Sequence, residues 1–146
     1  MRTLPLTHKR ITTAILSSGL AVFAACSSMA AMSETLTLAG TAEVPPVTTT
    51  ATGSATVTIG ADRSVKVSVT AKDMTATASH IHIGAAGTNG PVIVPFTKSG
   101  DNTFSAAPDA KLTEEQYAAY KAGNLYVNVH SAKNPGGEIR AQLKGS

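Results

Sequence analysis

The sequence predicts an all-β fold: a Greek-key β-sandwich or barrel of about seven to eight strands with one short helix. Three observations lead there. Apolar and polar residues alternate with a period of two in several separate segments, turn residues recur between them, and a single stretch carries helix signals. In chain order, Leu36 and Leu38 alternate with threonines; Ala55, Val57 and Ile59 follow the same rule, as do Val65, Val67 and Val69 after the turn at residues 60–63. Each reads as a strand with one buried face. Residues 79–84 send Ile81 and Ile83 to the core and leave His80 and His82 on the displayed face, about 7 Å apart along the strand. The apolar run 92–96 contains Pro95, which predicts an edge position or a strand end. A helix is expected between Thr113 and Ala122: Thr113 and Gln116 have capping-box spacing, Leu112 and Tyr117 are placed as a hydrophobic staple, and Gly123 is the stop. Two last strands, 124–130 and 138–143, flank the turn-rich segment 131–137.

The amino terminus sets the compartment. Arg2, Lys9 and Arg10 form a positive head before an uncharged apolar run over 11–25, the pattern of an export signal. That run, at about 15 residues, falls short of the roughly 20 a permanent membrane helix needs. Two cleavage readings remain open. Phe23-Ala24-Ala25-Cys26-Ser27-Ser28 resembles a bacterial lipobox, which would leave a lipidated Cys26 as first residue of a periplasmic or outer-membrane-anchored lipoprotein; Ser28-Met29-Ala30 instead suits cleavage after Ala30 and a secreted soluble chain. The expected organisation is an export signal over 1–26, a short linker over 27–35, a domain over 36–143 and a tail over 144–146.

Without the leader the chain carries nine basic and nine acidic residues, so its basic balance resides in the signal and the domain is neutral. No Lys/Arg-rich stripe with interleaved aromatics is present, and nucleic acid is not an expected partner. A membrane contact is expected only through a lipid on Cys26. No cysteine follows Cys26 and there is no tryptophan, so stability rests on aliphatic packing.

Three of the four histidines fall in the strand segments: His80, His82 and His130. If their strands are neighbours, the three imidazoles form one cluster, a donor set suited to a single copper or zinc ion with water or Glu43 in the fourth position. In the last two segments Tyr126, Asn128 and His130 share a face, as do Glu138, Arg140 and Gln142. Pairing like faces sets His130 opposite Glu138 and Asn128 opposite Arg140. Glu138 could then orient a metal-bound imidazole, with Asn128 and Arg140 in support; alternatively Glu138 and Arg140 form a salt bridge on a solvated face.

The chain resembles the CHRD domain, named for chordin and common in exported bacterial proteins. The resemblance rests on Ser79-His80-Ile81-His82, on Asn128-Val129-His130-Ser131 followed by Pro135-Gly136-Gly137-Glu138-Ile139-Arg140-Ala141-Gln142-Leu143, and on Ala42-Glu43-Val44-Pro45-Pro46-Val47. It implies an all-β extracellular module. Chordin antagonises bone morphogenetic proteins, but the cysteine-rich repeats that accompany the domain there are missing here, so growth-factor binding does not carry over.

Three functions stay open: a copper or zinc site at His80, His82 and His130; a non-catalytic extracellular or cell-envelope interaction module without metal; and a copper-dependent oxidoreductase resembling superoxide dismutase. For the last, three histidines outside the leader are too few for a two-metal site. No catalytic residue is assigned. Residues 84–91 have glycines but neither the Lys-Ser/Thr nor the following helix of a phosphate loop. Ser131 and His130 are chain neighbours on opposite faces, so they do not form a nucleophile and base. Asp73, Asp101 and Asp109 lack the clustered oxygens that calcium requires.

Overall fold

The alternating segments become the walls of a barrel. The computed structural model describes residues 31–145; the export signal, Cys26 and the cleavage site after Ala30 lie outside the described residues. The strands are β1 (Met32–Ala39), β2 (Thr52–Ile59), β3 (Val65–Lys72), β4 (Ala76–Ile83), β5 (Val92–Gly100), β6 (Thr103–Ala106), β7 (Leu125–Ser131) and β8 (Ile139–Gln142). They close in the order β1-β2-β3-β6-β5-β4-β7-β8, every ladder antiparallel. Consecutive strands pair except at β3 to β4 and β6 to β7, whose connections cross the barrel in Greek-key fashion. β1 starts inside the segment expected to be a linker.

Period-two alternation fills the interior. Leu38, Val69, Ile81, Val127, Val129 and Ile139 are fully buried there, with Phe104 contributed by the short β6. Ser79, also fully buried, satisfies its hydroxyl on the Asn128 carbonyl at 2.8 Å. The helix α1 (Glu114–Lys121) forms where the capping box predicted it: Thr113 Oγ1 accepts from the Gln116 amide and Gln116 Oε1 accepts from the Thr113 amide. Gly123 ends it at φ 74°, a left-handed conformation that favours glycine. Buried Leu112 and Tyr120, with half-buried Tyr117, belong to the core on that side.

One expectation holds in its edge form, and another needs correction. Pro95 ends no strand; it lies within β5, opposite His80. It is tolerated because the β5–β6 ladder begins only at Phe96, so β5 is paired on one side alone at Pro95, a local edge inside a closed barrel. The second concerns β7, where every residue is buried, the polar-face Tyr126, Asn128 and His130 included. The outer face of β4, β7 and β8 is roofed by the connections 40–51, 84–91 and 132–138. Alternation reports which side of a strand a residue occupies, and it cannot report that loops fold over that side.

Candidate metal centre

β4 and β7 are direct neighbours, registered His80 to Asn128 and His82 to Tyr126, with His130 beside Ala78. Outward-pointing positions on adjacent strands thus bring the three imidazoles together: one ring nitrogen from each lies within 4.8 Å of the others. His82 and His130 are buried and His80 is half-buried. His80 Nδ1 stands 3.0 Å from His130 Nε2.

Backbone carbonyls fix two tautomers. His82 Nδ1 lies 2.9 Å from Gly90 O and His130 Nδ1 lies 3.0 Å from Pro135 O. A carbonyl only accepts, so both Nδ1 atoms carry the proton and both Nε2 atoms present lone pairs. His80 must then donate its Nδ1 proton to His130 Nε2. His82 Nε2 is buried and has no hydrogen-bond partner. Burial lowers the pKa of all three imidazoles, His80 to about 4, where the neighbouring His130 and His82 lower it further. All three imidazoles are thereby kept neutral: His82 Nε2 presents a free lone pair, and His130 Nε2 presents one that the His80 Nδ1 proton occupies until a ligand displaces it.

Sequence reasoning named Arg140 among the supports of this cluster but missed Tyr126, Asn89 and Gly90. The Tyr126 ring stacks on His82, and the Arg140 guanidinium carbon sits 3.4 Å from the Tyr126 centroid on a buried side chain. Arg140 donates to Thr88 O at 2.8 Å and to Asn89 Oδ1 at 3.2 Å, while Asn89 Nδ2 donates to Val44 O at 2.6 Å, which ties the 84–91 loop to the 40–51 loop. Gly90 is confined to glycine by packing, since a Cβ would run into the Ile83 carbonyl. Its only sequence signal was the Asn89-Gly90-Pro91 turn pattern.

The supporting residues proposed from sequence divide. Asn128 faces Arg140 in the β7–β8 ladder, in the expected register. Glu138 does not reach His130, whose Nδ1 is taken by Pro135 O. Its carboxylate accepts from Thr49 Oγ1 at 2.6 Å and from Ser131 Oγ. Those bonds, with Asn134 and the Lys133 charge, outweigh the opposing effect of burial and hold Glu138 below the usual carboxylate range. Nor does Glu138 pair with Arg140, so neither role foreseen for it applies. Glu43 is not among the converging ligands. It lies against Gly137, where a Cβ would come 2.5 Å from Glu43 Oε1 and 2.7 Å from Asn128 Nδ2, and φ 133° there also favours glycine. Burial raises the Glu43 pKa to about 7, with Arg140 and Asn128 partly opposing the rise.

The donor chemistry fits one borderline-soft ion. Two nitrogens bound to a tetrahedral zinc at about 2.0–2.1 Å stand roughly 3.4 Å apart. Nitrogens within 4.8 Å therefore need only small side-chain shifts, and the unpartnered His82 Nε2 gains a partner. Among the described residues this is the one three-ligand cluster, so a second metal position of the superoxide dismutase kind has no support.

Comparison with curated proteins and with solved structures finds no match to the chain. The family model described as the CHRD domain matches residues 35–143, from within β1 to just past β8. On that match, the chain belongs to the CHRD domain family.

Proposed function

We propose that this CHRD domain is an exported module that binds one copper or zinc ion through His80, His82 and His130. The observation that carries the reading is the paired tautomer lock. His82 and His130 each spend Nδ1–H on a backbone carbonyl, which leaves Nε2 as a lone-pair donor in a buried cluster. Metal-ligating histidines are oriented in this way by an acceptor on the far nitrogen. A fully satisfied histidine ladder would give each nitrogen a partner, whereas His82 Nε2 makes no hydrogen bond, with the Asn128 side chain near enough to act on this imidazole. Glu43 is not among the converging ligands, so solvent would take the fourth position. His80 would bind through Nδ1 and move its proton to Nε2. In the cell envelope the domain would be periplasmic and anchored through Cys26, or secreted as a soluble chain. The competing reading is an interaction module without metal. Elemental analysis after exhaustive dialysis separates them: about one equivalent of copper or zinc per chain is expected, and a protein that retains none after loading is the interaction module.

A further inference from the structure

We propose that the cleft at one end of the barrel, beside Glu138, is a binding site for a neutral polyhydroxylated ligand, a sugar. This cavity of about 630 Å³ is separate from the three-histidine cluster and lies in the size range of small-molecule sites. It opens between the Thr48–Thr50 segment, the β3–β4 turn and the start of the β7–β8 connection. The exposed residues Thr48, Thr50, Thr75 and Thr77 line it.

Its back wall is fixed in advance. Glu138 is buried, accepts from Thr49 Oγ1 and Ser131 Oγ, and is held ionised by those bonds. Thr49 Oγ1 also accepts from the Ala51 amide and Ser131 Oγ from the Asn134 amide. An ionised carboxylate keeps acceptor capacity beyond two donors, which suits a ligand hydroxyl. Half-buried Met74 supplies an apolar patch for the C–H face of a ring.

The charges select the class. Glu138 and Asp73 repel an anionic ligand, and Lys133, close enough to Glu138 for its charge to act on that carboxylate, offsets their pull on a metal cation or an amine. Glu138 is also engaged by hydroxyl donors rather than left open for a metal. A wholly apolar ligand would strand the hydroxyls without partners. A neutral molecule with many donors and acceptors satisfies every part of the lining. No aromatic platform is present, so the expected affinity is weak, with a dissociation constant on the order of 1 mM.

The test is an amide chemical-shift titration of the chelator-treated full domain with glucose, galactose and N-acetylglucosamine, so that the outcome is independent of the metal reading. Saturable shifts centred on Thr48, Thr75 and Thr77 are expected for at least one sugar, with Thr77→Val and Thr48→Val each weakening binding about two- to tenfold. Both positions are exposed, so the fold should tolerate either change. No saturable shift up to about 100 mM, shifts centred elsewhere, or valine variants that bind as the parent does would overturn the assignment. Tighter binding of glucose 6-phosphate or of calcium in the same cleft would also overturn it, by showing that charge and not hydroxyl complementarity selects the ligand.

Discussion

The Tyr126 ring lies flat against the His82 imidazole, with centroids 4.8 Å apart and planes 7° from parallel. The same tyrosine reaches the residue that orients His82. Its hydroxyl accepts the Gly90 amide at 3.1 Å, and the Gly90 carbonyl faces His82 Nδ1. Ring plane and tautomer are therefore set by one residue pair spanning a strand and a loop.

Tyr126→Leu removes the flat contact and the hydroxyl together, so copper or zinc affinity should fall about ten- to a hundredfold, the usual consequence of losing a group that orients a ligand. Tyr126→Phe keeps the stack and loses the hydroxyl's two bonds to Gly90, one accepted from its amide at 3.1 Å and a long one donated to its carbonyl at 3.5 Å, the first worth about 0.5–1.5 kcal/mol of stability. Its metal affinity should stay within a few-fold of the parent. Paired metal titrations and melting curves check both; equal affinity for parent and Tyr126→Leu would remove the stack from the account.

Val127 and Ile139 are wholly buried inside the barrel. A lone buried carboxylate costs about 3–5 kcal/mol, a large part of the roughly 5–15 kcal/mol that holds a domain of this size together. Val127→Asp and Ile139→Asp should each abolish the cooperative melt. Unchanged melting temperatures would mean that the inner face is wrongly assigned.

Acid should weaken the metal-stripped domain. Burial depresses all three imidazole pKa values below the ordinary 6.5, His80 to about 4, so between those values the unfolded chain binds more protons than the folded one. Stability therefore falls as pH drops from about 6.5 towards 4. Glu43, raised from 4.5 to about 7, acts oppositely: it favours the fold at low pH and loses that contribution as pH rises through 7. The Glu43 gain roughly offsets the His80 loss, so the net loss on acidification comes from His82 and His130, both lowered by burial. Denaturant melts at pH 7 and pH 5 measure it, and in a His80→Ala, His82→Ala, His130→Ala triple variant, where Glu43 acts unopposed, the difference should vanish or reverse. A more stable stripped parent at pH 5 would contradict the assignment.

The parts of the fold legible in the sequence were those with local causes. Alternation placed Val127, Val129 and Ile81 inside, the Thr113–Gln116 spacing located the helix, and like-face pairing set Asn128 opposite Arg140. β6 was harder to see, because Phe104 is its one fully buried apolar residue and four residues give little period. At the site, His80, His82 and His130 were legible as outward positions on two strands. Their tautomer locks were not, since Gly90 O and Pro135 O are backbone groups whose placement depends on how two loops fold back. Glu138 was misread for a related reason. Ladder register puts it near His130, but its side chain turns towards Thr49, 89 residues earlier in the chain.

Metal titration of the parent against its single-alanine variants tests the central claim most directly. The parent should bind one equivalent of copper or zinc, and His80→Ala, His82→Ala and His130→Ala should each lose most of that affinity. Glu138→Gln should keep it, because Glu138 supports Thr49 and Ser131 rather than an imidazole. A parent that binds no metal at micromolar concentration, or three alanine variants that bind as the parent does, would contradict the account and leave the histidines as a structural ladder.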